Sequence, residues 1–323
     1  MDNKEKQHTL LLTLAALIAT LVVVAAVVTA WHQSDDPADQ PKHQISAVKH
    51  HADTVRDTMR RALKPQLLKP IPKPSTMIQG TLRRTDGTPV AAVTVSDGIE
   101  CVKTDSLGHY ALRRRAAAHF VYYTVPDWAE VPTHSHKDHT ACIYQRITPT
   151  DSVYDFRLKP LPTGKENRYA MLVFGDPQVT NAYSPYYTGP NDNPVKITDV
   201  ARFSKETMTD VRKTLKALPA DLPVYGLSMG DDVQYYGGFN ATLETKIRKT
   251  LGASRMRLFS VIGNHDQDGK DLYKRKWEEA WGPTDYSFDR GDEHYVCFND
   301  CHFYRGSIYW QPGELTDQQM AWL

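Results

Sequence analysis

The chain has almost no charge imbalance. Its 39 Lys and Arg face 38 Asp and Glu, leaving a net charge of +1. That balance argues against a nucleic-acid binder or a polybasic membrane-surface binder. Cysteine is scarce, with only Cys101, Cys142, Cys297 and Cys301. On one straight strand Cys297 and Cys301 would stand about 13 Å apart, beyond the roughly 7 Å that a disulfide spans. A turn at Asn299-Asp300 would bring them together; free thiols are the other reading. No cysteine closely follows the N-terminal apolar run, which argues against a lipoprotein. The apolar fraction of 41% is modest, yet it suffices for real cores.

What is present begins with that run. Thr9 to Trp31 carries no charge and is rich in Leu, Ala, Val and Ile. About 20 such residues cross a bilayer as a helix. Lys4 and Lys6 precede it, and Asp35, Asp36 and Asp39 follow. Positive charge stays inside, so the bulk of the protein is expected beyond the cytoplasmic membrane, in the periplasm, behind a single-pass anchor at 1–31. The alternative is a signal peptide cleaved near Val28-Thr29-Ala30, giving a secreted protein. Residues 32–75 read as a linker. It contains His43, His50 and His51 and ends in the extended stretch Lys69-Pro70-Ile71-Pro72-Lys73-Pro74.

Residues 76–160 read as a small all-β sandwich: short β-branched runs are separated by Asp, Gly and Pro turns. The polar stretch His134-Ser135-His136-Lys137-Asp138-His139 inside it reads as a solvated loop. From about 165 to 323 the pattern changes to strands alternating with helices, which predicts an α/β domain with a largely parallel sheet. Strands are expected at Tyr169–Phe174, Val224–Met229 and Arg257–Ile262. Helices are expected around Val200, Phe203, Met208, Val211 and Leu215, and over Ala241–Leu251. Tyr286 to Phe298 reads as a hairpin. A last helix opens with Thr316 and Gln319 as a capping box, with Leu315, Met320 and Leu323 on its apolar face.

Three of these strands end in glycine followed by an oxygen donor: Phe174-Gly175-Asp176, Met229-Gly230-Asp231 and Ile262-Gly263-Asn264. Ligands of open α/β sheets bind beyond the carboxyl ends of the strands, so the rhythm gathers Asp176, Asp231 and Asn264 on one rim. Each glycine is expected to admit close backbone approach. Clustered buried carboxylates repel and are costly to desolvate unless a cation joins them.

With Asp176-Pro177-Gln178, Gly230-Asp231-Asp232 and Gly263-Asn264-His265-Asp266, the chain resembles the calcineurin-like metallophosphoesterase superfamily. The type is the one found in bacterial phosphoesterases with a preceding β-sandwich. The resemblance spans about 76 to 323. It implies a metallophosphoesterase-type α/β sandwich, here incomplete, that hydrolyses phosphate monoesters or diesters with two divalent metal ions (Mn, Fe, Zn or Mg). It also implies roles. Asp176 and Gln178 would face the first metal, Asp231 would bridge both, and Asn264 would hold the second. His265 would meet the substrate phosphate, oriented by Asp266. Two departures stand out. Gln178 replaces the family's usual histidine. The family's three later histidines also have no counterpart, because only His294 and His302 follow His265 and both read as ordinary strand or turn residues. The last helix stops after about two turns without a C-cap signal, so a truncated chain is expected. The competing expectation is an inactive, membrane-anchored binding or assembly module. Tyr186, Tyr187, Tyr235 and Tyr236 flank the rim in sequence, either to stack on an organic leaving group or to pack under the long loops.

Overall fold

The computed structural model describes residues 75–180, 198–234, 241–267, 271–303, 310–311 and 314–323. The expected anchor, the linker and the four rim tyrosines lie outside them. Among the described residues no helix is long and apolar enough to cross a membrane.

The first sheet centres on β1 (Met77–Arg84), where Ile78, Gly80 and Leu82 alternate inward, the period-2 signature of a half-buried strand. It pairs antiparallel with β4 (His109–Arg113) and parallel with β9 (Phe156–Leu158). A second sheet, antiparallel throughout, has the order β3-β2-β5-β8 and contains β2 (Thr94–Ser96), β3 (Cys101–Lys103), β5 (Phe120–Tyr123) and β8 (Tyr144–Arg146). The two sheets share a core that includes Ile78, Leu82, Val95, Leu112 and Phe156. All four residues of β5 are buried, so this strand is covered on both faces.

The remaining strands build a five-stranded sheet of order β10-β11-β12-β7-β6. Its β10 (Ala170–Phe174), β11 (Val224–Ser228) and β12 (Arg257–Ser260) run parallel, as the alternating pattern predicts. The other two strands come from the sandwich region: β6 (Thr133–Ser135) and β7 (Asp138–Ala141) form a hairpin, and β7 pairs parallel with β12 through Thr140 and Leu258. The expectation of a solvated loop at 134–139 is therefore corrected. Asp138 Oδ2 lies 2.9 Å from Arg248 Nη1, and His139 Nδ1 lies 3.0 Å from the Gly252 carbonyl. Polar residues occur here because the strands are short, edge-side and partnered by a helix end. Residues 74–323 cluster as one compact unit.

Helices cover one face of this sheet. α1 (Asp199–Arg202) is capped by Thr198, continues through a π-helical turn (Phe203–Thr207) and leads into α2 (Met208–Ala217). Val200, Phe203, Met208, Val211 and Leu215 are buried, the stripe expected from sequence. With α3 (Ala241–Gly252) and α4 (Asp271–Trp281) they pack on Val224, Leu258 and Ile262. The opposite face meets the expected hairpin, β13 (Tyr286–Arg290) and β14 (Glu293–Cys297), where Phe288 stacks on Phe259 with centroids 3.8 Å apart. A short pair, β15 (His302–Phe303) and β16 (Trp310–Gln311), follows.

The last helix, α5 (Asp317–Trp322), carries the capping box of Thr316 and Gln319. Its expected apolar face is a correction, since Met320 and Leu323 are exposed. The inward residue is Gln319, whose amide donates to Asp285 Oδ1 (2.6 Å) and to the Asn299 carbonyl (2.8 Å). All four cysteines are free thiols.

Candidate metal centre at the strand ends

The three strands end level. Phe174 pairs with Ser228, and Ser228 with Ser260; Met229 N donates to Phe174 O and Val261 N to Ser228 O. Beyond them the chain turns sharply. Asp176, Gln178 and Asp231 have φ of 56°, 40° and 51°, in the left-handed region that costs side-chain-bearing residues energy and concentrates at functional sites. Gln178 N donates to Asp231 O (2.7 Å) and Val179 N to Asp232 O (3.2 Å). The loop carrying Asp176 and Gln178 is thus laced to the loop carrying Asp231.

Two of the three glycines are required by this packing. A Cβ on Gly263 would stand 2.0 Å from Asp231 Oδ1, and one on Gly230 would stand 2.7 Å from Gly263 N, with φ +91° there besides. Gly175 differs from expectation: a Cβ there would meet nothing within 4 Å, and its φ is ordinary. It lies at the outer side of the rim, just past the end of the edge strand β10.

Asp231 is nearly buried. Its Oδ1 accepts the His265 N–H (2.8 Å), and its Oδ2 lies 3.4 Å from Gln178 Nε2. Burial raises its pKa; the His265 N–H pulls back, and Asp176 adds to the rise. Asn264 adjoins Gly263 and is half-buried beside this carboxylate. Asp266 is fully buried. Its Oδ2 accepts Gly263 N–H (2.8 Å) and Asp231 N–H (2.9 Å), and its Oδ1 accepts Val233 N–H (3.4 Å). Among the described residues no hydrogen bond joins it to the His265 ring. It clamps the two loop backbones together, a different contact from the orienting one that the resemblance implies.

Sequence reasoning missed Asp232, fully buried between Ser228 Oγ (2.5 Å) and Ser260 Oγ (3.2 Å). Burial pushes its carboxyl up to about 6. Its signal was a serine closing each of two otherwise apolar strands in matching register. Burial also raises Asp266 well above the carboxylate range, with Glu244, Asp232 and Asp231 adding to the rise. Gln267 and Asn299 exchange amide bonds (3.0 and 3.4 Å) and bring 299–301 toward the rim. There the Cys301 thiol is pushed up to about 12 by burial and Asp300, with Asp231 and Asp266 contributing. His294 pairs with Asp289 across the hairpin, and His302 lies in β15.

The donor types at the rim are hard oxygens: carboxylates from Asp176 and Asp231, amides from Gln178 and Asn264. Such donors fit a hard or borderline divalent cation, and such a cation would offset the burial that raises Asp231 and, to a lesser extent, the repulsion from Asp176. Among the described residues, no three His, Cys, Asp or Glu side chains gather to hold an ion by themselves. The set therefore relies on its amides.

Residues 76–161 match the family model described as the N terminal of Calcineurin-like phosphoesterase. The match covers the sandwich and the β6–β7 hairpin and stops before β10, so it supports the superfamily resemblance from residues outside the rim motifs. No curated protein and no solved structure matches the chain.

Proposed function

We propose that the rim hydrolyses phosphate monoesters or diesters with two divalent metal ions. Asp176 and Gln178 would hold the first ion, Asn264 would hold the second, and Asp231 would contribute to both. Three laced strand-end loops, with Gly263 fitted against Asp231, carry this reading. Bound ions supply Lewis acidity, lower the pKa of water and neutralise charge on the phosphoryl group.

The protein's own part is positional. The His265 N–H holds the Asp231 carboxylate, and the buried Asp266 carboxylate accepts the Asp231 backbone N–H. The His265 side chain, half-exposed beside it, is the group within reach of a substrate phosphate, where it donates a proton or stabilises charge. Gln178 Nε2 lies 3.4 Å from Asp231 Oδ2, and an amide oxygen is a poorer ligand than imidazole for a borderline cation. That makes the first position the weaker of the two. The uncharged segment Thr9–Trp31 supports an anchored, extracytoplasmic setting for this chemistry.

The test joins binding to turnover. Mn²⁺ at about 100 times its dissociation constant adds about 2.7 kcal/mol of stability, or roughly 5–10 °C in Tm for a unit of this size. Manganese-dependent hydrolysis of 4-nitrophenyl phosphate or bis(4-nitrophenyl) phosphate is expected beside it. Asp231→Asn keeps the shape and tolerates the positive φ, and it should abolish both signals. A protein that neither gains Tm with Mn²⁺, Zn²⁺ or Mg²⁺ nor turns over either ester overturns the proposal. A Tm gain without turnover favours the binding-module reading.

A further inference from the structure

The chain as a whole is nearly neutral, yet one face of it is not. α2 lies between the parallel strands β10 and β11, and α3 between β11 and β12, so both helices return antiparallel to the strands on the same side of the sheet. They therefore run the same way, from the rim outward, with a groove of about 930 Å³ between them. Three cations line it, Arg212, Lys246 and Lys249, and no Asp or Glu does.

Helical spacing builds the two walls. Thr242, Thr245, Lys246, Lys249 and Thr250 recur at three- and four-residue steps and share one side of α3. Leu243, Ile247 and Leu251 turn the other side into the core. On the facing wall, Ser204, Met208 and Arg212 follow at four-residue steps. The acids of these helices are engaged elsewhere: Glu206 pairs with Arg202 (3.1 Å), Asp210 with Lys213 (3.1 Å), and buried Glu244 accepts the Trp281 Nε1–H (2.5 Å). Arg212 Nη2 donates to the neutral Thr209 Oγ1 (2.7 Å), which leaves its charge uncompensated. Lys246 and Lys249 form no ion pair among the described residues. Like charges one turn apart on a helix repel, and an anion seated between them relieves that repulsion. The near end of the groove adjoins the rim: Ser204 Oγ donates to the Val200 carbonyl (3.0 Å), and Val200 N to the carbonyl of Thr180 (3.1 Å), two residues past Gln178.

We propose that this groove binds a linear, phosphate-rich polyanion. Each phosphate offers several oxygens and accepts from an ammonium and a threonine hydroxyl together, while Arg212 supplies a planar fork from the other wall. Thr242 to Thr250 spans about 12 Å along α3, which suits a run of linked phosphates better than one. Binding here does not require metal at the rim. Joined to the phosphoesterase reading, the groove keeps such a polymer beside the rim.

The experiment titrates the full chain against dye-labelled inorganic polyphosphate, read by fluorescence anisotropy. Saturable binding is expected, with log K falling against log salt at a slope of about −2 for three cations on a flexible strand. Replacing Arg212, Lys246 and Lys249 together by Gln should weaken it at least about tenfold. All three side chains are exposed, so the triple variant should fold as the parent does, which an unchanged Tm verifies. Asp231→Asn should leave polyphosphate binding intact, which separates failure here from failure at the rim. The proposal is overturned if polyphosphate does not saturate, if the triple variant binds it equally well, or if binding ignores salt. It is likewise overturned if polyglutamate or phosphatidylglycerol vesicles bind as tightly, since a carboxylate polymer or a lipid surface would then be the occupant.

Discussion

Gly175 and Gly263 occupy equivalent places in the strand-Gly-donor rhythm, yet the structure predicts opposite responses to alanine. A methyl on Gly263 would stand 2.0 Å from Asp231 Oδ1 and 2.3 Å from Asp231 N, far inside contact distance. Asp231 cannot simply yield, because its N–H is held by Asp266 and its Oδ1 by the His265 N–H. Moving it breaks a charge-assisted hydrogen bond, about 1.5–3 kcal/mol, and overpacks a filled site, about 1–3 kcal/mol. Gly263→Ala should therefore cost about 2.5–6 kcal/mol. In the urea midpoint this is a large displacement with little change in slope. Gly175→Ala meets no atom within 4 Å at an ordinary φ, so it should stay within about 0.5 kcal/mol of the parent. Equal losses in the two variants, or a neutral Gly263→Ala, would refute the account of how the rim is packed.

Two further outcomes follow from the same geometry. Burial pushes the Asp138 carboxyl up, but the Thr140 hydroxyl and the Arg248 guanidinium outweigh it and leave the pKa lowered. A depressed folded-state pKa gives stability that is present above the ordinary carboxylate value and lost as pH falls through the folded one. Asp138→Ala strands Arg248, itself nearly buried, so it should cost about 3–5 kcal/mol at pH 7 and clearly less at pH 3; an equal cost at both would contradict the pairing. For the cysteines, a thiol reagent should label exposed Cys101 first and buried Cys297 last, with four thiols released on unfolding without reductant; two or none would reveal a disulfide.

Much of the α/β part was legible because periodicity survives burial. β10, β11 and β12 are apolar runs, and Val211 and Leu215 stand at helical spacing. The β6–β7 hairpin was not legible. Its strands are three and four residues long and carry two histidines, with a third in the turn between them, so no period-2 signal rises above a polar loop. What makes them strands is pairing with β12, a contact far away in sequence. The candidate centre divides in the same way. The crowding of Asp231 against Gly263 follows from strand ends and small residues, which sequence displays. The open space at Gly175, the Asp266 clamp on backbone N–H groups and the burial of Asp232 depend on how neighbouring loops meet. Gln319 shows the same limit: an amide points inward on α5 because Asp285 and Asn299 wait there.

The β6–β7 hairpin also sets an order of events during synthesis. Its His139–Gly252 contact closes 113 residues of chain, and β7 finds its sheet neighbour only once β12 has left the ribosome. Until then the segment matched as an N-terminal domain holds two strands with no sheet to join, and such unpaired strands invite intermolecular pairing. Non-local closure of this kind slows folding. A cut after residue 161 would therefore release a fragment with a raw edge, and would leave the other half missing one flank of its sheet.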